Sequence, residues 1–292
     1  MTKIDKINAF RGSHVIPGGP TGVLLLHSLG GNPGELRFVA QGLARAGFTV
    51  YCPLLPGFGA GTDPTGLSSW KDWYAALEQA HDELKSRCDA VLVGGVSAGS
   101  MLVLKLASER PDDVHGLMLF SPTIWPNGWA VPKSLQLFKL IYYKWFAKLF
   151  RFNRRQPFGI KNKRIRELVI DSFTKDYSMR DLLEVGGGMV WEFKSLVYHV
   201  RRCLAQIRQP AHIFHPREDD QSDIKNAFAV ARGLAGPVEI TVLDDSYHLI
   251  TLDKQWSVVV ERTVDFACRV ARKLEERAAV TRIKYSQAAA AE

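Results

Sequence analysis

The chain has no long uncharged apolar run. None of its 292 residues belongs to a stretch of the roughly 18 to 20 apolar residues that a membrane-spanning helix requires. The first ten residues also lack the apolar core of a secretion signal. A hydrophobic content of 46% is still enough to bury a substantial core. We therefore expect a globular protein that stays in the cytoplasm.

Cysteine is scarce, with four residues that lie far apart in the sequence: Cys52, Cys88, Cys203 and Cys268. They form no CxxC pair, which argues against a zinc site and against a disulfide framework. We expect reduced, mostly buried thiols and no metal site.

Acidic residues are absent from Pro122 to Arg166, where eleven basic residues occur. The formal net charge of the chain is +8, so the remainder is slightly acidic. No recognised nucleic-acid-binding motif accompanies this charge, and we expect no nucleic-acid partner.

A helical projection of Val131–Arg155 predicts one basic amphipathic helix. Its narrow basic sector contains Lys133, Lys144, Lys148, Arg151 and Arg155. We favour the interpretation that its apolar side packs on the protein, since amphipathic helices usually bury that side. The alternative is a peripheral contact with an anionic membrane, at its inner face, or with an acidic acyl-carrier protein.

Short, continuous apolar runs predict buried strands of a mostly parallel sheet. They are residues 23–27, 48–52, 90–94, 116–120, 211–215 and 238–243. Helical stretches alternate with them, so the fold class is α/β with helices on both faces of the sheet. The alternation stops between two strands, which predicts an inserted helical cap. We expect a core from 1–123 and 210–277, a cap over 124–209 and a flexible tail over 278–292.

A G-x-S-x-G pattern spans Gly95 to Gly99, between an apolar strand and an apolar helix. This context predicts a sharp turn that exposes the hydroxyl of Ser97 as a nucleophile. A serine hydroxyl needs a histidine base, and usually a carboxylate that orients the histidine. His248 follows the last strand and is our candidate base. The candidate acids follow the preceding strand, and composition does not choose among Glu218, Asp219, Asp220 and Asp223.

Acyl transfer also needs N–H donors for the oxyanion. The residue after the nucleophile, Ala98, supplies one candidate. The loop after the first predicted strand supplies the other, and our candidate there is the amide of Leu29.

Five segments together resemble the α/β-hydrolase superfamily, and within it small cytosolic carboxylesterases and monoacylglycerol lipases. They are LLLHSLGG (24–31), PLLPGFGAG (53–61), GVSAG (95–99), HPREDD (215–220) and SYHLITLD (246–253). The resemblance implies the α/β-hydrolase fold and points to Asp219 as the acid, with Asp220 as the alternative. Two departures stand out. Ser28 replaces a glycine of the oxyanion loop, where its side chain alters the loop or adds a donor, and Ser100 replaces a glycine after the elbow.

The expected activity is hydrolysis of carboxylic esters through an acyl-enzyme. The expected substrates are small-molecule esters with short-to-medium acyl chains, or monoacylglycerol-like esters. We expect no metal and no organic cofactor. One alternative is a thioesterase or acyltransferase with the same three residues. Another is a non-catalytic ligand-binding protein on a hydrolase scaffold. Aromatic cap residues are candidates for the acyl pocket, namely Trp125, Trp129 and Phe138.

Overall fold

A seven-stranded sheet forms the centre of the computed structural model, which describes residues 12–58, 68–153, 155–174 and 184–289. The order of its strands across the sheet is β1-β3-β2-β4-β5-β8-β9. In chain order they are β1 (His14–Ile16), β2 (Thr21–Leu26), β3 (Thr49–Cys52), β4 (Ala90–Val96), β5 (Leu117–Phe120), β8 (Ala211–Pro216) and β9 (Val238–Leu243). Every neighbouring pair is parallel except β1 with β3. The predicted, mostly parallel sheet is therefore present.

The main helices lie on the two faces of this sheet. They are α1 (Arg37–Arg45), α2 (Trp70–Lys85), α3 (Ala98–Glu109), α7 (Gly187–Cys203), α8 (Lys225–Gly233) and α9 (Trp256–Ala289). Side chains alternate between faces along a strand. Leu24 accordingly packs with α2, α3 and α7, whereas Leu25 packs with α1 and α9. Both faces are covered, which explains why the strands are continuously apolar.

Each of the six apolar runs forms a strand, but β1 was not predicted. This edge strand has only three residues, and it pairs antiparallel with β3, with His14 opposite Cys52 and Ile16 opposite Val50. A segment so short is half-exposed and carries no apolar run. Its pairing is set by a neighbour distant in sequence rather than by its own pattern.

The segment between β5 and β8 contains short helices and a small sheet. The helices are α4 (Ser134–Leu137), α5 (Lys144–Ala147) and α6 (Lys163–Thr174), with a 3₁₀ turn at Phe138–Leu140. Strands β6 (Arg151–Asn153) and β7 (Glu184–Gly186) pair antiparallel. The cap is thus mixed rather than wholly helical.

The prediction of one amphipathic helix over Val131–Arg155 is wrong. The backbone is extended at Ile141 and Tyr143, which separates α4 from α5. Carbonyl groups in the break accept hydrogen bonds from α7 side chains rather than from helical amides. Lys194 Nζ donates to the Ile141 carbonyl at 3.0 Å, and Trp191 Nε1 donates to the Tyr142 carbonyl at 3.1 Å. Tertiary contacts therefore override the helical periodicity.

The last helix is longer than the sequence indicated. We expected a flexible tail from Ala278, but α9 continues through Ala289, and residues 290–292 of that tail lie outside the described part of the chain. In the segments that the structure describes, no helix combines the length and apolarity needed to cross a membrane.

Candidate active site

Ser97 occupies the turn between β4 and α3. Its backbone has φ 55° and ψ −113°, a strained conformation for a residue with a side chain. The turn is tight because Gly95 and Gly99 lie against backbone. A Cβ on Gly95 would lie 2.4 Å from the carbonyl carbon of Gly99, and a Cβ on Gly99 would lie 2.6 Å from the carbonyl oxygen of His27. The two glycines let the strand and helix pack closely enough to raise the Ser97 hydroxyl out of the sheet.

Ser100, one of the two residues that depart from the family pattern, stabilises this turn from inside. It is fully buried, and its hydroxyl donates to the Gly95 carbonyl at 2.6 Å. Burying a hydroxyl is costly when it has no hydrogen-bond partner, and this hydrogen bond offsets that cost. The serine therefore replaces a glycine here without disturbing the elbow.

The Ser97 hydroxyl lies 3.2 Å from the Thr123 hydroxyl. Thr123 donates its own proton to the Ser121 carbonyl at 3.1 Å, so Ser97 is the donor in this pair. Ser121 in turn donates to the carbonyl of His248 at 2.7 Å. The segment after β5 thus connects the candidate nucleophile to the candidate base.

His248 and Asp219 form a buried pair. Nδ1 of His248 lies 2.8 Å and 3.0 Å from the two carboxylate oxygens of Asp219, and both side chains are almost completely buried. The carboxylate also accepts the backbone N–H groups of Gln221 and Ser222, each at 2.8 Å. These bonds fix the carboxylate, which therefore holds Nδ1 of the imidazole protonated and directs Nε2 away from Asp219.

The Asp220 carboxylate contacts the backbone N–H of His248 and not its imidazole ring. One carboxylate oxygen accepts the N–H of Gly159 at 2.8 Å, and the other accepts the N–H of His248 at 3.3 Å. Burial raises the pKa of the Asp220 carboxyl, and the charge of Asp219 adds to that effect. Of the two adjacent acids, Asp219 is the one that contacts the imidazole.

The environment of His248 favours the protonated ring. Burial lowers the pKa of the imidazole, but the charge and hydrogen bond of Asp219, together with the charges of Asp220 and Glu35, outweigh it and raise the pKa above its ordinary value. A histidine with this environment can accept a proton and hold it as a stabilised imidazolium.

The loop after β2 contains Leu29, the candidate oxyanion donor. Leu29 and Ala98 line the same cavity as Ser97 and His248. His27 lies beneath this loop, with Nδ1 2.8 Å from the Ser28 carbonyl and Nε2 accepting the N–H of Leu55 at 3.1 Å. Burial lowers the pKa of His27 to about 4. This histidine is therefore neutral and supports the loop.

The cavity has a volume of about 200 Å³ and extends from the elbow into the cap. Its apolar wall comes from cap side chains, including Val131, Leu135, Phe152, Val185, Met189 and Phe193. Arg155 is also part of its lining. Between the described residues, no three His, Cys, Asp or Glu side chains are grouped to hold a metal ion.

The three aromatic candidates for the acyl pocket are not among the described residues that line this cavity. Trp125 bonds Gln136 through its indole N–H at 3.0 Å, and Phe138 packs against Phe150 and Phe152 inside the cap. Trp129 is 60% exposed and lies edge-on to Tyr247. The predicted roles of Trp125, Trp129 and Phe138 in an acyl pocket therefore have no support from the lining of this cavity.

Sequence reasoning missed three polar residues of the site. Thr123 contacts the Ser97 hydroxyl, and Glu35 lines the cavity. His215 has Nε2 2.8 Å from the Ser222 carbonyl and 3.3 Å from the Asp219 carboxylate. Thr123 follows β5, His215 lies near the end of β8, and Glu35 lies at the end of the loop after β2. Such positions often carry site residues. The residue types themselves did not distinguish these three from ordinary polar residues on the surface.

Comparison with known proteins gives consistent relatives. A family model described as serine aminopeptidase, S33, matches residues 21–255. The thermostable monoacylglycerol lipase of Bacillus sp. (strain H-257) is 29% identical over 249 residues, which cover 85% of this chain and 90% of the relative. The carboxylesterase of Bacillus subtilis (strain 168) is 22% identical over 251 residues, covering 85% and 93%.

Solved structures agree with the family match. A structure of the metagenome-derived lipolytic enzymes LipS and LipT superposes with a TM-score of 0.73 at 25% identity, covering 89% of this chain and 98% of the other. The monoacylglycerol lipase of Paleococcus ferrophilus has the same fold, with a TM-score of 0.68 at 18% identity and coverage of 87% and 98%. The chain therefore belongs to the serine aminopeptidase S33 family (Hydrolase_4), has the α/β-hydrolase fold expected from its sequence, and is a lipase- and esterase-like hydrolase.

Proposed function

We propose that this protein hydrolyses carboxylic esters through an acyl-enzyme, with Ser97 as nucleophile, His248 as general base and Asp219 as the acid that orients His248. One observation carries the proposal. The buried Asp219 carboxylate contacts Nδ1 of His248, and His248 lines one cavity with a serine in a strained elbow. This combination of nucleophile, base and orienting carboxylate is the arrangement that acyl transfer requires.

The reaction begins when the Ser97 hydroxyl turns from Thr123 toward the imidazole. Its proton passes to Nε2 of His248 as Oγ bonds to the ester carbonyl carbon. The N–H groups of Leu29 and Ala98 stabilise the negative oxygen that forms. The intermediate then expels the alcohol, which takes the proton from His248. Water repeats the sequence on the acyl-enzyme and releases the carboxylic acid, and no cofactor is needed.

The shape of the cavity favours a single acyl chain. At about 200 Å³ it lies below the roughly 300–1,000 Å³ of pockets that hold drug-sized ligands, and its cap wall is apolar. Two relatives point the same way, since one is named a monoacylglycerol lipase and the other a carboxylesterase. We propose esters of short-to-medium acyl chains, including monoacylglycerol-like substrates, as the substrate class.

A graded acyl panel tests the substrate class. We expect kcat/KM for p-nitrophenyl esters and monoacylglycerols to rise from acetate to medium chains and to be negligible for insoluble triglycerides, because one chain fills the cavity. Acyl-CoA thioesters of the same lengths belong in the same panel. A preference for those thioesters would identify a thioesterase instead, and a strict preference for acetate would contradict the proposed pocket.

We also propose that the cap docks on an anionic lipid surface. Large apolar side chains of one segment point into solvent: Leu137, Leu140, Tyr142, Tyr143, Trp145, Phe146 and Leu149. Most are about 70% exposed, although exposed apolar residues usually occur singly. We call this segment, residues 137–149, the apolar-basic face.

The apolar-basic face contains three lysines and no acidic residue. Lys144 pairs with the carboxylate of Glu192, whereas Lys139 and Lys148 are exposed. Its backbone is held by Lys194 Nζ and Trp191 Nε1, so the apolar side chains project from a fixed base. Apolar projections flanked by cations match the apolar interior and anionic headgroups of a lipid surface.

Vesicle sedimentation tests the docking proposal. We expect the protein to bind vesicles of graded anionic content at low salt and to bind less at physiological salt, because surface charge is screened. Lys139→Glu with Lys148→Glu should weaken binding about tenfold or more, since each basic residue contributes about 1 kcal/mol. Leu140→Ser with Trp145→Ser should weaken it at both salt concentrations.

The matched control is Arg272→Glu with Lys273→Glu, on the exposed side of α9. It changes the net charge by the same amount away from the cap. If both charge variants lost vesicle binding equally, the loss would be due to the lower net charge and not to the apolar-basic face. Negligible binding by the unmodified protein at low salt would remove the proposal, and binding to an acidic carrier protein without vesicles would replace it.

A further inference from the structure

A buried carboxylate lies beneath the proposed oxyanion loop. Glu35 is in the 3₁₀ turn Pro33–Leu36, is only 8% exposed and lines the cavity. Its Oε2 accepts the backbone N–H of Ser28 at 2.9 Å, and its Oε1 accepts the Ser28 hydroxyl at 2.9 Å. Both oxygens of one carboxylate thus bind the residue that immediately precedes Leu29. Burying a carboxylate is costly unless it is well hydrogen-bonded, which this one is.

The chain around Glu35 is shaped to hold it there. The N–H of Gly31 donates to the Ser28 carbonyl at 3.1 Å and closes the loop. A Cβ on Gly31 would lie 2.0 Å from Oε1 of Glu35, so only glycine leaves room for the carboxylate. Ser28, which departs from the family pattern, has its hydroxyl proton committed to Glu35. The closed loop, the space at Gly31 and the Ser28 hydroxyl therefore together hold the Glu35 carboxylate in place.

We propose that Glu35 is a positioning residue, whose carboxylate holds Ser28 so that the N–H of Leu29 is directed at the oxyanion. This inference rests on the proposed acyl-transfer function and adds a residue to it. An oxyanion donor acts only when its direction is fixed before the charge forms. Glu35 holds Ser28 by its N–H and its hydroxyl. The Ser28 carbonyl, which shares a peptide group with the Leu29 N–H, accepts the N–H of Gly31 at 3.1 Å. Ser28 is therefore held on both sides, which limits the directions that the Leu29 N–H can take.

Glu35 also affects the base electrostatically. Asp219, Asp220 and Glu35 each favour the protonated His248 ring. His215 faces Asp219 on its other side, and Arg155 lines the cavity. Removal of the Glu35 charge should therefore lower the pKa of His248. A neutral residue with the same hydrogen bonds would not have this effect.

Glu35→Ala and Glu35→Gln separate these two roles. Alanine removes both contacts with Ser28, so we expect kcat for a p-nitrophenyl ester to fall about 10- to 100-fold with KM within about twofold, as for a misdirected oxyanion donor. Glutamine keeps both contacts, because its oxygen can accept the Ser28 N–H and its amino group can donate to the Ser28 hydroxyl. It should retain most of kcat.

The pH profile supplies the second readout. Activity needs neutral His248, so kcat/KM rises with pH through the pKa of His248, which lies above the ordinary histidine value of about 6.5. Glu35→Gln lowers that pKa and should shift this acid limb to lower pH. Ser28→Ala keeps the backbone contact and the charge, so it should leave the limb in place and reduce kcat less than Glu35→Ala does.

Glu109→Ala is the matched control, since its carboxylate also accepts a hydroxyl, from Tyr74, but lies at the far end of α3 from Ser97. It should leave kcat and the acid limb unchanged. A Glu35→Ala kcat within twofold of the unmodified protein would overturn the positioning role. If that variant does not fold, as judged by circular dichroism, a Ser28→Ala kcat equal to that of the unmodified protein would overturn the positioning role, because Ser28→Ala removes one of the two contacts with Glu35. Ester hydrolysis that disappears in Ser97→Ala would stand in either case, so failure here is distinguishable from failure of the proposed function.

Discussion

Replacement of Ser97 by alanine should lower kcat for ester hydrolysis by about 10⁴-fold or more, because the proposed acyl-enzyme can no longer form. Alanine lacks only the hydroxyl, whose hydrogen-bond partner among the described residues is Thr123 at 3.2 Å. The elbow is held by backbone, with the Ser97 N–H donating to the Phe120 carbonyl at 2.8 Å. The variant should therefore fold and bind substrate with nearly unchanged affinity, so the loss should appear in kcat.

A fluorophosphonate probe gives an independent measurement of the same residue. It should label the unmodified protein on Ser97 and leave Ser97→Ala unlabelled. Ser100→Ala is the matched control, since Ser100 is a buried serine three residues away whose hydroxyl bonds Gly95. It should keep labelling even if its stability falls. More than about a tenth of the activity remaining in Ser97→Ala would reject the mechanism, and an unlabelled, inactive native protein would favour a non-catalytic binding role.

The fold could be read from the sequence because both faces of its sheet are buried. Runs such as residues 90–94 are apolar at every position and too short for a typical helix, which together indicate a strand covered on both faces. The elbow was equally legible, since Gly95 and Gly99 are required by local packing. A structural requirement that neighbouring residues impose can therefore be recognised in the local sequence.

The cap lacked such a signature. Its periodicity predicted one helix, yet the chain is extended at Ile141 and Tyr143 because side chains of α7 bind the intervening carbonyls. These contacts join residues about fifty positions apart in the chain. The choice between Asp219 and Asp220 as the acid also depends on tertiary contacts. The N–H groups of Gln221 and Ser222 hold the Asp219 carboxylate beside the ring, whereas the N–H of Gly159, about sixty positions away in the chain, holds Asp220.

Asp219→Asn and Asp220→Asn test that choice, because the two neighbours have different contacts with His248. Asp219 contacts Nδ1 of the ring, so asparagine can present its amino group there and hold the wrong tautomer. We expect kcat to fall by about 10³- to 10⁴-fold, as for other orienting carboxylates. Within the described part of the chain, the Asp220 carboxylate accepts hydrogen bonds from two backbone N–H groups, those of Gly159 and His248.

Asparagine at position 220 has one acceptor oxygen for those two donors, which leaves one buried N–H unpaired at a cost of about 1–3 kcal/mol. Asp220→Asn should therefore lower the melting temperature by several degrees while kcat falls no more than about tenfold. Steady-state kinetics and thermal unfolding of both variants separate the two effects. The opposite ranking of kcat would assign the orienting role to Asp220, and it would require the loop after β8 to present that carboxylate to the ring during catalysis.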